Sequence, residues 1–198
     1  MPIPGLKVIE TSGTHVAERQ RFFEANSEYS IAVNGEPPGP NDAREEIHGE
    51  LPAGCRFTRK WLIGYVDASG AMLAMGNVVS DLLAPTVWHV GLFMVATARP
   101  GDARSQRIYR GLEVWAGANG ASWLRLGVVQ GNVRAERFWE RLGYVHVRMR
   151  SDVKRGRLTN TIQVMIKPFS GGTLEQYLSL VERDRPEAQN APLPPLPG

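Results

Sequence analysis

Residues 88–144 read WHVGLFMVATARPGDARSQRIYRGLEVWAGANGASWLRLGVVQGNVRAERFWERLGY, and the pattern changes character four times along them. Residues 87–95 form a nearly continuous apolar run, the mark of a strand covered on both faces. The segment ARPGDARS, 98–105, is short of apolar residues and holds Pro100 and Gly101, so it reads as a loop. From 105 to 118 apolar residues recur at helical spacing: Ile108, Leu112, Trp115 and Ala116. A second buried-strand run spans 123–129, and Gln130-Gly131 turns the chain. Asn132 is placed to cap a further helix, whose Ala135, Phe138 and Leu142 share one face before Gly143 ends it. The order is strand, loop, helix, strand, helix. A polar, basic loop opens the first helix, where backbone N–H groups favour an anion such as a phosphate.

The part LRLGVVQGNVRAERFWERLGY, 124–144, resembles the GNAT acetyltransferase superfamily. The family pattern there is a strand, a turn, Asn, two residues, Ala, two residues, Phe-Tyr-Glu, Lys or Arg, two residues and Gly-Phe. Asn132, Ala135, Phe138, Glu140 and Gly143 fit it, with Arg141 one place on. The loop departs from the family: small residues stand where they are expected, but its leading Arg is missing from its place. The resemblance implies an α/β (α+β) fold with a central mixed, mostly antiparallel sheet of about six to seven strands, flanked by helices and splayed at the central strand pair. It also implies transfer of an acetyl group from acetyl-CoA, as co-substrate, to an amine. The pantetheine arm would bond backbone groups near Met94, Val95 and Ala96, with Asn132 and Phe138 beside it. Amides around Gly101, Asp102, Ala103, Arg104, Ser105 and Gln106 are placed to hold the pyrophosphate, with a hydroxyl from Ser105 and a charge from Arg104. Asp102 is the dissonant member, since a carboxylate near phosphate repels unless it points away. Asn132 as a plain helix cap and Phe138 as plain core are the structural alternatives.

The 198 residues suffice for one domain with a core that needs neither metal nor disulfide. Hydrophobic content of 42% with 22% charged residues is ordinary for a globular protein. The net charge of +3 suits an anionic ligand without demanding nucleic acid, because the signs alternate along the chain. A single cysteine, Cys55, excludes an internal disulfide and points to a cytoplasmic setting. No N-terminal apolar stretch has the length of a signal peptide or membrane span, so no membrane partner is expected.

Outward from the central stretch, a short strand is expected at 6–10, then a helix capped by Thr14 and running to about 26. The segment after it alternates turn signals with short helical pieces and is the expected acceptor-facing part, with Tyr29, Asn34 and Glu36 as candidates. Residues 59–66 and 71–82 read as a hairpin about Asp67-Ala68-Ser69-Gly70, with Gly76 marking a bulge or close approach. Beyond Tyr144 two more strands follow, joined near Lys154-Arg155-Gly156, with Val145, Val147 and Met149 on one buried face. Thr173 and Gln176 have capping-box spacing for a last helix, whose stripe of Leu174, Tyr177, Leu178 and Val181 covers the sheet or, alternatively, a homodimer contact. The expected division is an acetyltransferase domain over 1–169, this helix over 170–184 and a Pro-rich disordered tail over 185–198.

The chemistry requires a held CoA, a deprotonated amine and stabilisation of the developing oxyanion. An alkyl amine has a pKa of about 10 and arrives protonated, so a base must act. His89, an imidazole inside an apolar strand, is the first candidate and Asp81 the second; a satisfied core histidine is the alternative for His89. Relatives often carry a Tyr acid after the Phe of the second helix, whereas this chain has Trp139, whose indole is a donor but no practical acid. A thiolate, with a thiol pKa of about 8.5, can leave and take its proton from water. Trp61 and Trp139 are candidates to line an acceptor pocket, packing being their other use. No metal site is expected. The leading reading is an N-acetyltransferase of small-molecule or protein amines; a catalytically weak acyl-CoA-binding module is the alternative that Trp139 suggests. Nucleic-acid binding through Arg148, Arg150, Lys154, Arg155 and Arg157 ranks last, since no aromatic stacking platform accompanies them.

Overall fold

A computed structural model describes residues 3–51, 55–96, 102–169 and 171–190. Thirteen regular elements follow in chain order: β1 (Lys7–Glu10), α1 (Val16–Ala25), α2 (Glu28–Asn34), α3 (Asp42–His48), β2 (Lys60–Val66), β3 (Met72–Val79), β4 (Val87–Val95), α4 (Asp102–Ala118), β5 (Trp123–Val129), α5 (Val133–Arg141), β6 (Val145–Arg155), β7 (Leu158–Pro168) and α6 (Leu174–Leu180). The strands make one sheet in the order β1-β2-β3-β4-β5-β7-β6. Every neighbouring pair is antiparallel except β4 with β5, whose parallel pairing reflects the crossover through α4.

The period-2 alternation of β4 and β5 sorts their side chains between two helical layers. On one face Trp88, Val90, Leu124 and Leu126 meet Ile108, Tyr109, Leu112 and Ala116 of α4, with Trp139 and Leu142 of α5 in the same core. On the other face Met75, Leu92 and Met94 pack under Phe22 and Phe23 of α1. Farther along that face Tyr177 and Val181 close over Val87, Trp123 and Ile166, so the apolar stripe of α6 covers its own sheet. Thr173 and Gln176 do form the expected capping box.

Several local expectations shift. The first helix is preceded by a 3-10 turn, Gly13–His15, entered from Ser12 rather than Thr14; the Ser12 N–H donates to His15 Nδ1 at 3.2 Å. Helix α4 begins three residues earlier than its apolar periodicity, at Asp102. β3 ends at Val79, because Asp81, Leu83 and Thr86 all take positive φ in the turn that follows. Val145 is exposed and Arg148 is buried in β6, since register shifts after His146 and after Arg150 break the simple alternation. Residues 186–190 at the start of the tail form a further 3-10 turn, Pro186–Asn190, and the rest of the tail lies outside the described residues.

One buried network ties the C-terminal segment to the sheet. Asp184, fully enclosed in the 3-10 turn Glu182–Asp184, accepts from Arg125 Nε at 2.7 Å and Nη2 at 3.1 Å and from the Tyr177 hydroxyl at 2.6 Å. Burial works to raise the pKa of Asp184, but the Arg125 and Tyr177 hydrogen bonds and the Arg125 charge outweigh it and hold the carboxyl below its ordinary value. Asp184→Ala leaves a buried guanidinium uncompensated and is expected to cost about 3–5 kcal/mol in urea unfolding near neutral pH. Because the folded pKa is depressed, the stabilisation holds above the ordinary carboxylate value of about 3.9. The gap between the two proteins should shrink only as pH falls below that value.

Candidate active site

Pairing between β4 and β5 stops at Val90–Leu126, although β4 runs on to Val95 and β5 to Val129. The cause lies on the other edge of β4. Asn77 of β3 faces Leu92 while the next residue, Val78, faces Val90, so Gly91 is an extra residue in β4. A bulge bends the strand that carries it, and here β4 turns away from β5. The irregularity expected at Gly76 is therefore one step along β3 and belongs to its partner. Beyond it, β4 and β5 present unpaired backbone edges to a shared slot, which suits a ligand rich in amides.

The slot opens into a cleft of about 2480 Å³ on the face carrying α1, α2 and α3. Met94, Val95 and Ala96 line it from β4, Ser105 from α4, and Asn132, Phe138 and Trp139 from α5. Ala96 N–H is already bound to Leu73 O at 2.9 Å on the β3 side. Asn132 Oδ1 accepts from Ala135 N–H at 3.2 Å, so the side chain caps α5 while standing at the cleft. Phe138 stacks on Phe93 of β4 with centroids 6.2 Å apart. Ala103, Arg104 and Gln106 sit on the first turn of α4 beside Ser105 without lining the cleft; among the described residues Arg104 Nε is buried without a hydrogen-bond partner. Gly101 lies outside the described residues, as does the side chain of Asp102.

Tyr29 lines the cleft from α2. Its hydroxyl pKa is raised, chiefly by burial, with Arg155 lowering and Glu46 raising it. Glu46 of α3 grips the fully buried Arg19 through Oε2, whereas its Oε1 is buried without a partner. Lys60 Nζ donates to the carbonyls of Glu46 and Gly49 at 2.6 and 2.9 Å, fixing the C-terminal end of α3. Asn77 lies over the Gly91 bulge: a Cβ built at Gly91 would stand 3.7–3.9 Å from the Asn77 amide atoms. Asn77 Oδ1 is a second buried acceptor with no partner. The hairpin of β6 and β7 closes this end, with Arg157 N–H bound to Asn34 O at 2.8 Å and Asn160 Nδ2 to Val33 O at 2.8 Å. Gly156 sits at that junction with φ +51°; a Cβ there would lie 2.6 Å from Asn34 O.

Three sequence candidates take other roles. Trp61 points to the opposite face, stacked on Trp88 at 4.8 Å and edge-on to Trp115 at 5.1 Å, so it cannot line the acceptor cleft. Asp81 holds the turn before β4 by accepting from Thr86 N–H at 2.7 Å and does not line the cleft. His89 does line it, with Nδ1 buried and unpartnered, but burial first and then the Arg125 charge lower its pKa to about 3. An imidazole that weakly basic is a poor match for a proton on an amine of pKa about 10. Trp139 is buried against Tyr109 and Tyr144, centroids 4.7 and 5.3 Å away. The hydroxyls of those tyrosines bond each other in the core, and burial raises both pKa values well above normal, so neither replaces the missing phenolic acid. Among the described residues, no group of three or more His, Cys, Asp or Glu is arranged to hold a metal, and no helix is long and apolar enough to cross a membrane.

A seven-stranded mixed sheet parted at its central parallel pair, with the helix of the crossover starting at the mouth of the gap, is the fold of the GNAT N-acetyltransferases. Solved structures bear this out. A GCN5-related N-acetyltransferase from Kribbella flavida superposes with a TM-score of 0.61 at 22% identity, over 83% of this chain and 98% of that one. Ribosomal-protein-S5-alanine acetyltransferase from Vibrio fischeri gives 0.66 at 11% identity over 87% and 98%, and spermidine N-acetyltransferase from Vibrio cholerae, solved with CoA and spermine, gives 0.62 at 11% over 84% and 96%. No protein-family sequence model matches the chain, and no curated protein sequence does.

Sequence reading missed Glu46, Asn77 and Asp184. Arg125 is missed with them, although one charge inside the apolar run WLRLGVV, 123–129, is a pattern that implies a buried partner. The expected state of His89 is open to direct measurement. In NMR titration its ring resonances should show no inflection between about pH 5 and pH 8, whereas a midpoint near the ordinary value of about 6.5 would restore it as a base.

Proposed function

We propose that the protein is an acetyl-CoA-dependent N-acetyltransferase acting on a primary amine by direct attack. The observation that carries this reading is the parting of β4 from β5 at Gly91, which leaves two unpaired strand edges above the first turn of α4. The edge of β4 turned away from β3 near Val95 suits the amides of pantetheine, Ala96 N–H being committed to Leu73 O, and the first turn of α4, with Arg104, suits its pyrophosphate. Phe138 and Trp139 provide an apolar flank. The fold and the Asn132-to-Gly143 pattern support the same assignment.

The thioester supplies an activated acetyl group. Asn77 Oδ1 orients the acceptor by accepting an amine hydrogen bond over the bulge; Glu46 Oε1 takes one proton from the ammonium, the free amine forms the C–N bond, the C–S bond breaks, and the CoA thiolate takes, through water, the second proton that nitrogen loses. Tyr29 borders the same pocket. The buried position of Trp139 favours a second reading, an acyl-CoA-binding module with weak catalysis.

Calorimetry with acetyl-CoA, paired with thiol release across a panel of primary amines, tests the proposal: binding and turnover are expected, binding without turnover on any amine favours the module, and no binding removes both. Glu46→Gln should lower kcat/KM by about 10²-fold or more while acetyl-CoA still binds. Arg104→Glu should act on the other substrate and weaken acetyl-CoA binding. A Glu46→Gln protein with unchanged pH profile and turnover excludes Glu46 as the base.

A further inference from the structure

The cleft wall made by β6 and the Glu182–Asp184 turn carries more positive charge than it neutralises. Arg125, Arg148, Arg150 and Arg183 gather around a single carboxylate, Asp184. That carboxylate is already committed to Arg125 and Tyr177, and Arg148 Nη1 reaches only to 3.9 Å from it while bonding the Arg183 carbonyl. The guanidiniums of Arg150 and Arg183 have no hydrogen-bond or ion-pair partner among the described residues, yet both are half-buried and both line the cleft. Burial lowers the pKa of each; Arg183, Arg125 and Arg148 lower that of Arg150 further and Arg125 and Arg148 that of Arg183, against which Asp184 raises both and Cys55 raises Arg183. The same cleft is also lined by Asp42, Glu45, Glu46 and Glu50 from α3 and its end, where Lys60 donates to backbone carbonyls.

Like charges held together in partial burial repel, and they persist where an incoming anion completes them. Planar guanidiniums suit an oxyanion because they can grip it with paired N–H donors. We infer that Arg150 and Arg183 receive an anionic group on the acceptor, a carboxylate or a phosphate, so that the amine acetylated here belongs to a zwitterionic molecule. Its ammonium end faces the α3 carboxylates, Glu46 among them; its anionic end faces the two arginines. The assignment rests on the acetyltransferase reading of the cleft and names the class of acceptor for it.

Ethanolamine, β-alanine and phosphoethanolamine form a matched set that differs at the end away from the amine. Thiol release should favour one or both anionic members over ethanolamine by about 10–100-fold in kcat/KM, the range that charge-assisted hydrogen bonds supply; which of the two leads identifies the anion. In Arg150→Gln/Arg183→Gln the acceptor KM should rise by a similar factor while the KM for acetyl-CoA is unchanged. Equal turnover of ethanolamine, or a rise confined to the acetyl-CoA KM, overturns the inference and leaves the acetyltransferase reading standing. A readout independent of turnover is thermal unfolding. Sodium phosphate or sodium acetate should raise the Tm of the wild type beyond sodium chloride at equal ionic strength, and the double variant should lose that increment. Without added anion the variant should melt at or above the wild-type temperature, because repulsion is relieved; a fall of more than about 4 °C means the arginines are structural and overturns the site. Arg150→Lys/Arg183→Lys, which keeps the charge but loses the planar fork, should retain part of the anion increment. Should no amine be turned over and no acetyl-CoA bind, the acetyltransferase reading fails, and the anion increment alone decides whether the arginine site exists.

Discussion

One extra residue in one strand organises this molecule. With Gly91 inserted opposite the Asn77–Val78 step, β4 cannot stay beside β5, and the only parallel pair in the sheet opens into a gap. The cost is a run of backbone groups left without sheet partners. Everything placed around the gap is consistent with that opening: α4 starting at its mouth, Phe93 and Phe138 stacked along its flank, and Asn77 lying across the bend. The rest of the sheet is held by regular antiparallel pairing and two packed faces, so local disruption is confined to where a ligand can compensate it.

Charge is distributed around the cleft with equal economy. The acidic wall comes from α3, stabilised by the grip of Glu46 on Arg19, and the basic wall comes from β6 and the turn ending at Asp184. His89 lies between these regions and is kept neutral, because burial disfavours its imidazolium and Arg125 adds to that penalty. A neutral imidazole at the floor avoids adding a further cation to a wall that already holds four arginines around one carboxylate.

Much of this architecture is legible from the chain. The apolar run 87–95, the helix with Ile108 and Leu112 on one side, and the Asn132 cap with Gly143 closing its helix are all local signals, and each stands in the structure as read. Of the candidates named from such signals, Met94, Ser105, Asn132 and Phe138 line the cleft. Its acceptor half depends on which faces meet, and composition does not carry that. His89 and Trp61 both look like site residues in sequence, yet Trp61 lies on the far face of the sheet and His89 is made too weak a base by burial first and then by the charge of an arginine 36 positions away. Glu46 and Asp184 look like surface carboxylates until their buried partners are seen. Two register shifts in β6 likewise move Arg148 inward where simple alternation puts valine.

The clasp between Asn160 and Val33 has a kinetic meaning as well as a static one. It joins positions 127 apart in the chain, and the two charged walls that it draws together come from equally distant segments. Contacts of such long sequence separation carry a large loop-closure cost and form late. The central strand–helix–strand–helix unit can therefore assemble around local contacts first, and the cleft exists only once the segments around Val33 and Asn160 have come to rest against it.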